Sequence, residues 1–513
     1  MRRSLMSKQI CIALLRIALF LPVAATSAED LSIQQDTLYS HVLNEKRALQ
    51  VILPKGYKPG SPNKYDVLYV LDGETITPYA VRTYSLLQGE EFLPKLIIVG
   101  IPNMNLDFRE RDFTPTHVSG LSGGADKFLA FLKSELIPYI EKTYPAKTGG
   151  NTLYGGSLAG LFVLYSFVTE PSLFKSYVAV DPSLWWDHGY VNGLYSNRLA
   201  NFKSLQNSLW VAGREGYPYQ FMGTAAIDAI LKAKAPAELA WTAVPYSNET
   251  HFSLLYKGLW DGLKFSYGGY YGKRGIELKP MNGIVLKDKP FDLWCYNLLA
   301  NRYIRYSTNG SEPASTAASI AFENKLSFNS STTFTAKSFA VRDEHDKIAK
   351  GTFEIGTTLP AVHKPEGVKA GGLHYSYYEG NWGNLPDFKN LKPARSGFAG
   401  DDFDLASFPR NTNFSLVLDG YIEIKEEGYY IFELGGDSGS KVYLGERLLI
   451  GDHYKADYGE TFMMPLQKGF YSLRVEYLHH KGGSDLVPVY LKPEGQEDFP
   501  IPSEMEYQNA EVP

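Results

Sequence analysis

Residues Asn151–Val168, NTLYGGSLAGLFVLYSFV, constrain the fold of this chain more than any other stretch. Asn151–Tyr154 reads as the end of a buried strand, Gly155-Gly156-Ser157-Leu158-Ala159-Gly160 as a tight turn of small residues, and the remainder as a buried helix. A strand that turns straight into a helix with a serine at the apex is the geometry of a nucleophile elbow. Such a turn strains the serine backbone, so the residues two positions to either side must be nearly free of side chain. Gly155 and Ala159 meet that demand, and Gly160 lets the helix pack close to the sheet. The helix start also brings free amide donors and the positive end of a dipole to the serine. The competing reading is a glycine-rich strand–helix turn with an idle serine, so the surrounding chain has to supply its partners.

Alternating strand-like and helix-like segments surround the elbow from Leu38 to about Tyr271. Ala48–Leu53 reads as a strand. Asp66–Leu71 and Lys95–Ile101 are apolar runs suited to strands buried on both faces. Gly124–Tyr144 carries Phe128, Leu129, Leu132, Leu136 and Ile140 at helical spacing. Strands are expected at Ser176–Val180, Ser208–Ala212 and Leu239–Pro245, with helices near Gln220–Lys234 and Leu254–Phe265. This order predicts an α/β domain with a mostly parallel sheet, whose ligands sit beyond the carboxyl ends of the strands, where Ser157 falls.

A serine nucleophile needs a base near neutral pH, and histidine is the natural one. Chain order in such folds is nucleophile, acid, histidine. His188 and His251 are the two histidines in the remainder of this half; His251 is preferred because it stands in a polar loop between the last strand and the last helix. Glu215, in the loop after the penultimate strand, is the first choice for the carboxylate that orients the imidazole, with Asp181 and Asp187 as alternatives. An oxyanion hole needs two amides, expected from Leu158 and from Gly73 or Glu74 in the loop after Asp66–Leu71. The chain carries no metal-ligand cluster, phosphate loop or dinucleotide fingerprint, so neither metal nor cofactor is expected.

Four stretches carry a family resemblance: Leu71–Glu74, Arg109–Thr116 (RERDFTPT), Tyr154–Phe162 and Asp181–Trp186 (DPSLWW). Together they resemble the esterase family of α/β-hydrolases that includes esterase D-like enzymes, enterobactin (siderophore) esterases, and feruloyl and acetylxylan esterases. The resemblance implies Ser157 as nucleophile, His251 as base, Glu215 in the loop that often holds the acid, and Trp185 and Trp186 as walls of the substrate pocket. Family members often carry His or Gly at position 156 and Gly at 159, and usually Ser at 181. Asp181 is thus an extra carboxylate that either retunes specificity or replaces the orienting acid.

At 513 residues the chain exceeds a single core and should divide into several domains. Arg2, Arg3 and Lys8 precede a short apolar run, Ile17–Ala25, that ends in Thr26-Ser27-Ala28. This reads as a signal peptide over 1–28, implying a periplasmic or extracellular protein, and the run is too short to span a bilayer. Of two cysteines, Cys11 lies in that leader, which leaves Cys295 without an intrachain partner. A net charge of −5 gives no reason to expect nucleic acid.

After Lys273-Arg274 the helical periodicity ends and short strands between Asn/Gly/Ser turns take over. Residues 275–358 read as an immunoglobulin-like β-sandwich, and Tyr306–Pro313 resembles the C-terminal module of chitobiase. Residues 366–507 resemble the protective-antigen-type (PA-14) β-sandwich, some relatives of which bind glycans through calcium. Gly436-Asp437 and Gly445-Glu446 stand where that calcium site would be, and one aspartate supplies too few hard oxygens. The expectation is a 29–273 α/β-hydrolase domain followed by two all-β sandwich domains. It would act as a serine esterase on acetyl or feruloyl groups of a polysaccharide, with the PA-14 module binding glycan. A siderophore esterase is the alternative substrate reading, and a carbohydrate-binding adhesin with an inert hydrolase half is the alternative of another class.

Overall fold

Strand–helix alternation in the first half builds one eight-stranded sheet. In a computed structural model the described residues are 33–103, 105–202, 205–270, 276, 278–295, 303–318, 323–400, 405–434, 439–451, 460–480, 490–493, 499–500 and 506–509. The expected leader at 1–28 and Asp437 lie outside them. The strands are β1 (Gln34–Ser40), β2 (Glu45–Ile52), β3 (Tyr65–Leu71), β4 (Leu96–Ile101), β5 (Ala146–Gly156), β6 (Ser176–Val180), β7 (Ser208–Arg214) and β8 (Ala240–Tyr246), in the order β1-β2-β4-β3-β5-β6-β7-β8. β1 and β2 are antiparallel to their neighbours, and β4 through β8 pair in parallel.

The helices are α1 (Gly73–Gly89), α2 (Leu106–Phe113), α3 (Ala125–Phe131), α4 (Ile137–Thr143), α5 (Leu158–Thr169), α6 (Trp186–Arg198), α7 (Tyr217–Phe221), α8 (Thr224–Lys234) and α9 (His251–Ser266). Successive strand side chains alternate between two helical layers, which is why these strands are apolar throughout. Val67, Tyr69, Leu153, Tyr177 and Val211 pack with α3, α4, α5, α6 and α8, whereas Leu68, Val70, Tyr154, Val178, Val180 and Trp210 pack with α1 and α9. Each fully buried aliphatic side chain contributes about 1.5–3 kcal/mol relative to exposure.

The helix expected over Gly124–Tyr144 is present but widens into a π-turn at Leu132–Leu136 between α3 and α4. Pro138 stands two residues further on, in the first turn of α4; it has no N–H for the regular helical ladder, and the wider turn accommodates the missing bond. The last helix begins at His251 rather than near Leu254. Thr250 caps it, with Ser253 N–H donating to Thr250 Oγ1 and Thr250 N–H donating to Ser253 Oγ.

The second half is all-β, as expected, but its two segments share a sheet. Asn282–Leu286 pairs in parallel with Ile348–Gly356 on one side and with Glu460–Leu466 on the other. One eight-stranded sheet therefore runs across the expected boundary between 275–358 and 366–507. Tyr429, Ile431 and Met463 from the later segment complete the core around Val285, Phe291, Phe334 and Phe353. Gly283 makes the seam possible: a Cβ there would stand 2.6 Å from the Met463 carbonyl oxygen. Pairing across the seam also removes a bare strand edge from each segment.

Candidate active site

Ser157 sits between β5 and α5 with φ 58° and ψ −121°, a region costing of order 1–3 kcal/mol for a residue with a side chain. Neighbouring backbone holds it there. Ser157 N–H donates to the Val180 carbonyl at 3.0 Å, and its own carbonyl accepts from Ser183 N–H at 3.0 Å and Leu161 N–H at 3.0 Å. The turn has no room at position 155, where a Cβ would meet the Ala159 carbonyl oxygen at 2.5 Å. Leu158 is the first residue of α5 and has no intrahelical acceptor for its N–H.

The second expected amide source is built differently from the loop foreseen. α1 starts at once after β3, with Asp72 as a left-handed N-cap (φ 54°), so Gly73 and Glu74 are its first two residues and their N–H groups are likewise without intrahelical acceptors. Gly73 is obligatory, since a Cβ would stand 2.6 Å from Ile101 N. The turn is pinned from α2: Arg109 donates from Nε (2.6 Å) and Nη2 (2.8 Å) to the two oxygens of Asp72. Asn103 bridges Asp72 and Glu74, donating from Nδ2 to Asp72 Oδ1 at 2.5 Å and to Glu74 Oε1 at 3.0 Å. Arg109, from the RERDFTPT stretch, thereby steadies the amides of Gly73 and Glu74.

His251 Nδ1 and Asp181 Oδ2 are 2.6 Å apart. Asp181 is fully buried at the end of β6, one residue beyond the Val180 carbonyl that holds Ser157. Its backbone is left-handed (φ 43°), and its N–H donates to the Ala212 carbonyl at 2.7 Å. Arg214 Nε donates to the same Oδ2 at 2.6 Å, while Oδ1 is buried without a partner. Burial alone would raise the Asp181 pKa; the bonds from His251 and Arg214 and the Arg214 charge outweigh it and hold the carboxyl below the usual carboxylate range. With Asp181 ionised, Nδ1 carries the proton and Nε2 is the nitrogen left for chemistry.

The expectation that Glu215 orients the imidazole is corrected here: that carboxylate is Asp181. Glu215 is exposed, and its side chain makes no hydrogen bond or ion pair among the described residues. Its N–H donates to the Tyr246 carbonyl at 2.8 Å, extending the β7–β8 ladder by one residue. Adjacent residues of an extended run face opposite sides, so with Arg214 turned toward Asp181, Glu215 is turned away. His188 is exposed and Asp187 half-buried; both lie in a left-handed run, 187–189, that interrupts α6, and neither bonds to Ser157 or His251.

The two tryptophans divide their roles. Trp186 is buried and donates from Nε1 to Thr116 Oγ1 at 3.1 Å, tying the start of α6 to the loop after α2. Trp185 is 47 % exposed. Tyr217 and Phe221, stacked 5.9 Å apart after β7, and Phe252 beside His251 are also exposed. The sequence reading missed Ser183, whose Oγ lies 3.4 Å from Ser157 Oγ; its position inside DPSLWW was the available signal. No hydrogen bond joins Ser157 to His251, a contact that in serine hydrolases often tightens only around substrate.

Among the described residues one group has metal-ligand spacing, Asp66, Glu344 and His345, at the amino-terminal end of the sheet away from Ser157. Arg342 and Lys147 already neutralise it. No described helix is long and apolar enough to cross a membrane.

The Asp181 environment predicts a pH response. Its depressed pKa means that the stability from this pair is fully present above the ordinary aspartate value, about 4, and is lost as pH falls from there through the lower folded value. Thermal melts of wild type and Asp181→Asn should therefore still differ at about pH 5, and the margin should close only as pH falls below about 4. Convergence already near pH 6 would contradict this.

Two segments of the chain resemble known proteins. Residues 40–249 match the family model described as Putative esterase, and residues 371–505 match that of the PA14 domain. Ferri-bacillibactin esterase BesA of Bacillus subtilis is 32 % identical over 167 residues, which span 29 % of this chain and 58 % of BesA. The siderophore enterobactin esterase of Emericella nidulans is 31 % identical over 146 residues, 24 % of this chain and 48 % of the relative. The chain thus spans about half the length of these curated relatives. An IroE-like serine hydrolase from Shewanella oneidensis superposes with a TM-score of 0.42 at 33 % identity, covering 45 % of this chain and 79 % of that structure.

Proposed function

Residues 40–249 belong to the Putative esterase family, and from that premise we propose that the chain hydrolyses carboxylic esters through an acyl-enzyme on Ser157. The observation that carries the reading is the 2.6 Å pair of His251 and a buried, ionised Asp181 beside a strained serine. His251 Nε2 takes the Ser157 proton as Oγ attacks the ester carbonyl carbon. The carbonyl oxygen becomes an oxyanion held by the Leu158 amide and by that of Gly73 or Glu74. Collapse of the tetrahedral intermediate breaks the C–O bond, and the imidazolium returns its proton to the leaving alcohol. Water, deprotonated by His251, then attacks the acyl-enzyme, releasing the acid and regenerating Ser157. Asp181 stays ionised throughout and stabilises the imidazolium.

For the substrate, a bulky aromatic-bearing ester of the siderophore type is the first reading. Trp185, Tyr217, Phe221 and Phe252 offer exposed flat faces near the carboxyl ends of β6, β7 and β8, and the two curated relatives described above are named a ferri-bacillibactin esterase and a siderophore enterobactin esterase. An acetyl or feruloyl group on polysaccharide is the second, favoured by the PA14 match at 371–505, which also suggests a glycan as a partner of that module. Export fits both and rests on the basic and apolar start of the chain. Purified protein assayed against a trilactone siderophore, a feruloyl sugar and acetylated xylan separates the readings by relative kcat/KM. Failure to turn over any ester, together with no labelling by a fluorophosphonate, would sink them both.

A further inference from the structure

The β-module that follows the hydrolase segment reaches into it with one side chain. Arg342 is completely buried, and all five of its N–H donors are used. Nη1 donates to Asp66 Oδ2 at 2.7 Å and the Gly150 carbonyl at 3.2 Å; Nη2 donates to Thr152 Oγ1 at 2.6 Å and Ser176 Oγ at 3.0 Å; Nε donates to the Ser266 carbonyl at 3.3 Å. The guanidinium also lies 4.0 Å from the Tyr267 ring centroid. Asp66, Thr152 and Ser176 belong to β3, β5 and β6, so the socket is made by three adjacent strands of the hydrolase sheet. The flanking backbone docks as well: Val341 N–H donates to the Gly268 carbonyl at 2.8 Å, and Gly269 leaves no space for a Cβ against Ala340.

Ser266 is the last residue of α9, and His251 is its first. A cation on the terminal carbonyl complements the helix dipole and anchors that end. Between the two ends α9 lies hard against β6: a Cβ at Gly262 would meet the Val178 side chain at 2.4 Å, and one at Gly258 would meet Val180 at 2.8 Å. Val180 directly precedes Asp181. A helix about 24 Å long, held at its end and seated on glycines, moves as one body. We propose that Arg342 is a positioning residue: the β-module, docked through it, sets the placement of α9 and hence of His251 against Asp181. The catalytic part of this inference rests on His251 being the base.

Full-length Arg342→Met, Arg342→Lys and Arg342→Met/Asp66→Asn proteins test it, the double variant removing the buried carboxylate that the methionine would leave with Lys147, 3.7 Å away, as its counter-charge. Two measurements are made: hydrogen–deuterium exchange across 251–266, and kcat and KM per fluorophosphonate-titrated site. The expected result for Arg342→Met is faster exchange along the whole of α9, including the turn at His251, with kcat about tenfold lower or less and KM little changed. Lysine should restore the charge pair with Asp66 and the melting temperature, but only part of kcat. The double variant should melt near wild type yet keep the low kcat and fast exchange, and it carries the test if the single methionine variant does not fold. A double variant with wild-type kcat, or faster exchange confined to the last turn of α9, would overturn the proposal and leave Arg342 as a counter-ion alone. If wild type turns over no ester, the hydrolase reading fails, while the exchange data still decide whether Arg342 holds α9.

Discussion

Exchange of Ser157 for alanine should lower kcat for ester hydrolysis by about 10⁴- to 10⁶-fold, and adding His251→Ala should lower it little further. The hydroxyl is the bond-forming atom, and without it no acyl-enzyme forms for His251 to act on, so the two act as one unit. Residual turnover would reflect the amides of Leu158 and Gly73 or Glu74, which stabilise an oxyanion whatever attacks. Kinetics of both single variants and the double variant check this. Losses that multiplied would mean that serine and histidine work separately. Fluorophosphonate labelling should vanish with Ser157→Ala while the melting temperature holds, because alanine keeps the Cβ and with it the same backbone at φ 58°, and no packing is lost.

The second large effect concerns the carboxylate. Asp181→Asn should cost about 10⁴-fold in kcat, whereas Glu215→Gln should leave kcat and KM near wild type. An amide at 181 can offer its own N–H to His251 Nδ1, favouring the tautomer whose proton sits on Nε2, where it cannot accept from serine. It also leaves the half-buried Arg214 against a neutral group, so part of the loss will show as reduced stability. Measuring kcat per titrated active site separates these contributions. An inactive Glu215→Gln beside an active Asp181→Asn would reverse the assignment.

Much of the site was legible before any coordinates. The small residues around Ser157 encode the turn directly, because a Cβ at 155 has nowhere to go. His251 stood out as one of two candidates in a short list set by chain order. The strands buried on both faces betrayed themselves by unbroken apolar runs, and β6 was bounded to the residue. Less was visible where chemistry depends on facing. The start of α1 looked like a loop because Asp72-Gly73 is common turn chemistry, and only the close approach of Ile101 explains the glycine. Glu215 was preferred because its loop is where an acid often lies, yet strand alternation sends it to solvent and turns Arg214 inward.

Local information in the sequence, the periodicity and the turn residues, determined that there is an elbow serine, a sheet to carry it, a distant histidine and an all-β second half. Those features depend on neighbours a few positions apart. Tertiary structure alone decided that Asp181 meets the imidazole, that Asn282–Leu286 completes a sheet with Glu460–Leu466, and that Arg342 fills a socket in the hydrolase. Each of these is a meeting of side chains or strands more than sixty residues apart. Strand register and facing settle such meetings, and neither can be read from the identity of the residues that meet.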